Sequence, residues 1–172
     1  MAQLLLTLIG DDREGLVASL SQAVLAHGGN WQESQMARLG GKFAGIALVD
    51  LPDAKAHAFT AAVGALDGLD VTVTPAGEDV GAVGLPVTLH LVGNDHTGIV
   101  SEVTTALASR AISIDEMHTF TRPAPMGDTM LFEAVAQVRL PKGVELEGLR
   151  DALESIAHEL MVDLEVDETL ED

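Results

Sequence analysis

Two short segments hold the residues whose types and spacing could do chemistry, Gly10-Asp-Asp-Arg-Glu-Gly15 and Gly93-Asn-Asp-His-Thr-Gly98. Each stands where a strand-like run of alternating apolar residues gives way to a helix-like one. Asp12 and Asp95 occupy the place of an N-cap, where a carboxylate accepts a hydrogen bond from the free N–H groups of a first helical turn. Gly15 and Gly98 then fall inside that turn, where glycine costs about 0.5–1 kcal/mol against alanine. No capping box offsets this, because the position three after each Asp is the glycine itself. Glycine there opens the helix N-terminus to a ligand or a neighbouring backbone. The exposed N–H groups and the positive dipole end suit a carboxylate, and the neighbouring Asp suits an ammonium group. The chemistry described is recognition of a zwitterionic amino acid.

Other chemistries find less support. The chain has no cysteine, which excludes disulfides, thiolate metal sites and thiol nucleophiles. Of the six histidines, His90, His96 and His118 share the second half of the chain, but none stands at the spacing of a metal-binding helix. Ser19, Ser21, Ser34 and Ser101 lack a nucleophile-elbow context, and no glycine-rich phosphate loop occurs. The expectation is a protein that is not an enzyme, with no cofactor and no metal. A net charge of −18 with only nine Lys and Arg repels a phosphate backbone, so no direct contact with nucleic acid is expected. The longest apolar stretch, residues 4–9, is far short of the ~18 residues of a membrane span. A strand-like segment follows Met1-Ala-Gln3 directly, and the expected setting is soluble and cytoplasmic.

The elements that position these segments come in two copies. Leu5-Leu-Thr-Leu-Ile-Gly-Asp-Asp-Arg-Glu-Gly-Leu-Val17 lies over Thr88-Leu-His-Leu-Val-Gly-Asn-Asp-His-Thr-Gly-Ile-Val100 at one constant offset. That offset runs unbroken to Glu33 over Glu116. After an insertion around Pro123-Ala-Pro-Met-Gly127 the match resumes with Phe43 over Phe132 and Pro52 over Pro141. Within each copy a strand alternating as Leu4, Leu6 and Leu8 precedes a helix with Leu16, Leu20, Ala23 and Val24 on one face. Ile99, Val103, Ala106 and Leu107 repeat that face. Gly28-Gly29 ends the first helix with a left-handed cap, and strands over residues 30–39 and 42–50 meet at a Gly40-Gly41 hairpin. Phe59, Val63 and Leu66 mark a second helix, with a last strand at Leu69–Pro75; copy two offers Leu149, Leu153, Ile156 and Leu160, then a strand at 161–166. The fold class is α+β, two ferredoxin-like βαββαβ domains with antiparallel sheets and both helices on one face. Domain 1 spans 1–76, a glycine-rich linker 77–85, domain 2 86–166 and an acidic tail 167–172.

The repeated Gly-x-Asp-Arg-x-Gly-Leu-Val signature, the glycine–Asn30 step into the second strand and the βαββαβ frame resemble the ACT domain. More narrowly, Asp12-Arg-Glu-Gly-Leu-Val17, Gly29-Asn-Trp-Gln-Glu-Ser34 and Met36-Ala-Arg-Leu-Gly-Gly-Lys-Phe43 are similar to the glycine cleavage system transcriptional repressor family, whose members are two ACT domains and little else. The resemblance implies a regulatory module that binds a small amino acid, with glycine and serine the candidates. It further implies a protein partner such as a transcriptional activator, and a homo-oligomer. The ligand-contacting positions it implies are Gly10, Asp11, Asp12, Gly15, Asn30 and Trp31 in copy one. In copy two they are Gly93, Asn94, Asp95, Gly98 and Ile114. The family's usual proline is Glu14 and Thr97 here, its aliphatic residue is Trp31, and its arginine is His96 in copy two. Two rival readings stand beside this one, a regulatory subunit of an amino-acid enzyme and a ligand-free dimerisation module.

One helix layer leaves the other sheet face open. In copy one that face carries Leu5, Ile9, Ala44, Ile46 and Leu48; in copy two, Thr88, His90, Val92, Glu133, Val135 and Gln137. Large apolar patches mark association surfaces, so copy one's face is expected to be covered, by copy two or by another subunit.

Overall fold

Strand periodicity in a computed structural model of the chain follows the side-chain pattern residue by residue. The structure describes residues 1–77, 84–125, 127–143, 148, 151, 153–155, 157–158 and 161–168, with the backbone alone at 167 and 168. The chain divides into two compact units, Met1–Glu78 and Asp79–Asp172.

In unit 1, β1 (Ala2–Asp11), α1 (Leu16–Ala26), β2 (Asn30–Leu39), β3 (Lys42–Leu51), α2 (Ala56–Gly64) and β4 (Leu69–Pro75) follow one another. The sheet order is β2-β3-β1-β4, antiparallel throughout. Alternation sends Leu4, Leu6 and Leu8 to one face with Ala47, Val49 and Leu51. The buried stripes Leu16, Leu20, Val24 of α1 and Phe59, Val63 of α2 belong to the same core. Leu66 packs against it partly buried.

Unit 2 repeats the arrangement with β5 (Leu85–Asn94), α3 (Ile99–Ala108), β6 (Ser113–Pro123), β7 (Met130–Leu140) and β8 (Val162–Glu168), ordered β6-β7-β5-β8. Between β7 and β8 the described residues 148, 151, 153–155 and 157–158 are helical, and Leu153 is buried in the core. Leu149, Ile156 and Leu160 lie outside the described residues, as does most of the 77–85 segment. Leu85 already belongs to β5, and β8 continues through Asp167 and Glu168. Both pair with β5, because a ladder is built from backbone groups, whatever the charge beside them.

The end of the first helix keeps its geometry in both units while the residue in the left-handed position changes. In unit 1, Gly28 adopts φ 72°, its N–H bonds the Leu25 carbonyl and the Gly29 N–H reaches back to that of Val24, both at 2.9 Å. This is a Schellman cap. Unit 2 builds the same cap on Ala111 at φ 58°, with Ala111 N–H on the Ala108 carbonyl and Ile112 N–H on that of Leu107. A left-handed alanine costs about 1–2 kcal/mol, which outweighs the ~0.5–1 kcal/mol of chain freedom that glycine loses on folding. Ala111→Gly is therefore expected to stabilise the protein by about 0.5–1 kcal/mol in a urea titration, and Gly28→Ala to destabilise it by a similar amount.

The outer sheet faces differ as their residues do. Unit 1 exposes Ile9 and Ile46 at 49% and 43% beside half-buried Leu5, Ala44 and Leu48. In unit 2 that face carries an Arg122–Glu133 ion pair and a Thr88–Gln137 hydrogen bond of 3.0 Å. Among the described residues no helix is long and apolar enough to cross a membrane.

Candidate functional site

The turn from β1 into α1 is placed by β-pairing before any ligand is considered. Gly10 stands opposite Phe43 on one side and Leu69 on the other, and the Asp12 N–H continues the pairing onto the Gly41 carbonyl at 3.1 Å. The chain must then reverse within three residues. It does so at Gly15, with φ 86° and ψ −1°, and α1 begins at Leu16. Unit 2 uses Gly98, φ 97° and ψ −5°, before Ile99. The expectation that Asp12 and Asp95 cap the helices is thus overturned. The N-caps are Gly15 and Gly98, whose carbonyls accept from Ser19 and Glu102. Nor do these glycines lie within a helical turn; their positive φ is a conformation that glycine adopts without the penalty other residues bear. Neither helix start receives a side-chain cap.

Freed from capping, the charged side chains of the unit 1 turn form ion pairs. Asp11 pairs with Lys42 at the start of β3. That hydrogen bond, then the ammonium charge, holds the Asp11 carboxyl below its ordinary range. Asp12 meets Arg38 Nε at 3.1 Å. Arg13 lies against Gly68, donating to the Asp67 carbonyl oxygen and, at 3.0 Å, to its carboxylate. This arginine fastens the β1–α1 turn to the α2–β4 turn. Asp12, Arg13, Glu14, Gly15, Leu16, Val17, Ala18, Arg38 and Phe43 together line a cavity of about 200 Å³. Drug-sized ligands occupy ~300–1,000 Å³, so this space is on the scale of a small amino acid.

Unit 2 keeps the backbone and changes the charges. The Asp95 N–H bonds the Met130 carbonyl at 2.9 Å, as Asp12 bonds Gly41. His96 takes the position of Arg13, its Nδ1 3.1 Å from the Asn94 carbonyl oxygen and its Nε2 3.0 Å from Glu102. The hydrogen bond to Glu102, followed by that to Asn94, raises the His96 pKa above its ordinary value. A raised histidine pKa adds stability that is complete below the unfolded value of about 6.5 and fades as pH rises through the folded one. In an NMR titration the His96 midpoint is expected to fall in Glu102→Gln; an unmoved midpoint would show that Glu102 does not hold the proton.

Asn30 and Trp31 are not brought to this turn. Trp31 stands opposite Val49, which pairs with Leu4. It is therefore level with a residue six positions along β1 from Gly10, about 20 Å away at ~3.3 Å per residue. Half-buried, it packs against the unit 1 core, and a β-bulge follows it. Ile114 takes the same place against the unit 2 core, opposite Val138. Within each unit the predicted residues thus divide into a turn group and a group at the other end of the sheet. Arg38 and Phe43, which sequence reasoning left out of the site, join the turn group. The Gly40-Gly41 hairpin sets Arg38 opposite Phe43, and Phe43 stands opposite Gly10, so this register was the available signal. Among the described residues no cluster of three or more His, Asp or Glu is placed to hold a metal ion.

Residues 2–69 match the ACT domain family. An unknown protein from Galdieria sulphuraria shares 31% identity over 98% of this chain and 99% of its own, with a TM-score of 0.81. A protein provisionally described as a glycine cleavage system transcriptional repressor superposes at a TM-score of 0.75 and 17% identity, covering 99% of this chain and 98% of that one. At that identity the likeness is one of fold. No curated protein matches the sequence.

Proposed function

Residues 2–69 belong to the ACT domain family, and from that premise we propose that the chain is an amino-acid-responsive regulator acting through protein–protein contact in transcriptional control. The observation that carries the reading is the cavity at the first helix of unit 1, whose lining combines Asp12, Arg38 and a small apolar wall. Both signs of charge beside a space of this scale suit a small zwitterion, with glycine and serine the leading candidates. The net charge of −18 directs the chain toward a protein partner, such as a DNA-binding activator, and away from DNA. Fold likeness to a protein described as a repressor agrees with this role, and the setting proposed with it is cytoplasmic. Regulation then requires that the bound amino acid favour one arrangement of the protein over another, since equal affinity for both shifts nothing.

A thermal-shift screen against the twenty amino acids tests the reading. A ligand at ~100 times its Kd stabilises by about 2.7 kcal/mol, so one or two small amino acids should raise the melting temperature. Flat curves across the panel would remove the amino-acid part and leave a constitutive interaction module. The apolar centre of unit 1's outer face, with Leu5, Ile9, Ala44 and Leu48 around Ile46, makes self-association through Ile46 part of the proposal; equal monomeric masses for wild type and Ile46→Asp in sedimentation equilibrium would refute it.

A further inference from the structure

Resting on the amino-acid reading of the unit 1 cavity, we propose that Arg38 is the residue that sets its specificity. Arg38 and Asp12, paired when the site is free, part to take the carboxylate and the ammonium of one α-amino acid. Three observations lead to this. Both side chains line the cavity, and they meet there at 3.1 Å. The pair is also easily opened. Arg38 is 71% exposed and Asp12 32%, and an ion pair so open to water is weak. A carboxylate can match the planar guanidinium with two parallel hydrogen bonds, so the exchange improves on what it breaks.

The other cations of the turn are committed elsewhere. Arg13 is held by both the carbonyl and the carboxylate of Asp67, and Lys42 by Asp11. Arg38 is the one whose partner is itself part of the cavity wall. Phe43, Leu16, Val17 and Ala18 supply the apolar wall, which limits the side chain to a small, uncharged one. Unit 2 provides an internal control. Thr121 stands opposite Phe132 as Arg38 stands opposite Phe43, and the cation nearest in sequence to Asp95, His96, is bonded to Glu102. The Asp–Arg exchange therefore belongs to unit 1.

Calorimetric titration of the full chain tests this, with glycine, L-alanine and L-serine as probes and methylamine and acetate as the separated halves of glycine. At least one amino acid should bind, and neither half should bind at the same concentration. Arg38→Gln should weaken the amino acid about 10- to 100-fold, the range of a charge-assisted hydrogen bond. Arg38→Lys should recover part of that loss, and Thr121→Val should bind as wild type. Wild-type melting temperatures in Arg38→Gln would confirm that the loss is at the site. If a probe binds the wild type and Arg38→Gln within about 3-fold of each other, Arg38 is not the carboxylate partner, although the amino-acid reading survives. Acetate binding as well as glycine would overturn the two-charge exchange. If none of the three probes binds the wild type, this assignment falls, and the twenty-member screen decides whether the amino-acid reading falls with it.

Discussion

Gly10→Ala is expected to lose about 3 kcal/mol of folding stability in a urea titration, whereas Gly93→Ala should lose only about 1 kcal/mol, both within the range of overpacked interiors. The two glycines align in the repeat and occupy the same place, one residue before the end of the first strand's pairing with β3 or β7. A Cβ on Gly10 would collide with the Gly68 carbonyl oxygen, with the Gly68 carbonyl carbon at 3.3 Å and the Leu69 Cα at 3.4 Å. All three are backbone atoms, so relief requires β4 to move away from β1. On Gly93 the obstacle is Val162, its Cγ1 at 2.5 Å and its Cβ at 3.2 Å; rotation of the side chain carries Cγ1 away, and the Cβ contact needs a shift of only a few tenths of an ångström. Shifting the start of β4 would also displace Asp67 and with it the Arg13 clamp, so Gly10→Ala should damage the cavity as well. A ligand-facing role alone predicts the opposite, a variant that folds normally and binds poorly. Equal stability losses in the two variants would show that close approach of the backbone is not what demands glycine at position 10.

Much of this frame was legible in the residues, and the reasons are physical. Burial of Leu4, Leu6, Leu8 and of Leu16, Leu20, Val24 follows directly from periods of two and 3.6, since each face needs apolar cover. The repeat made each copy a check on the other. The helix starts were misplaced because a glycine does not announce the sign of its φ. Gly15 and Gly98 look like misplaced helix residues in one dimension and are turns in three. Ala111 and Met161 carry φ values of 58° and 52° with no glycine to mark them, so only the folded chain exposes those positions. Arg38 escaped notice because its place depends on two registers at once, β2 on β3 and β3 on β1. Trp31 belongs to the same family-derived set as Asp12, yet strand length separates them within the unit.

The two units show how a repeated fold can diverge in chemistry while its backbone stays constant. Pairing of Asp12 and Asp95 N–H groups, positive φ at Gly15 and Gly98, and the Schellman caps all recur. What changes is the cation set: Arg13 becomes His96, and Thr121 stands where Arg38 does. The first unit therefore holds its turn by arginine–carboxylate pairs, whereas the His96–Glu102 bond of the second weakens as the histidine loses its proton. Divergence of this kind leaves fold stability nearly untouched, because exposed ion pairs contribute little, and it alters what each turn can recognise.

Phe59→Ala should cost about 3–5 kcal/mol, a fifth or more of the ~5–15 kcal/mol that typically separates folded from unfolded domains. Aromatic residues make up only 3% of the chain, and Phe59 is the one fully buried. It shares the unit 1 core with Leu6, Leu20, Val49 and Val63, all inaccessible to solvent, so no smaller neighbour can reach in from the surface to fill its volume. The His27 ring meets it edge-on, centroids 5.7 Å apart at 71°, and would lose that contact too. Phe59→Leu, which conserves more of the volume, should cost less than about 1.5–3 kcal/mol. The consequence reaches the candidate site along the chain. α2 ends at Gly64, and three residues later Asp67 grips Arg13 in the cavity wall. In hydrogen exchange, Phe59→Ala should therefore speed the amides of both α2 and the β1–α1 turn. Acceleration confined to α2 would mean that the Arg13–Asp67 clamp does not couple the core to the site.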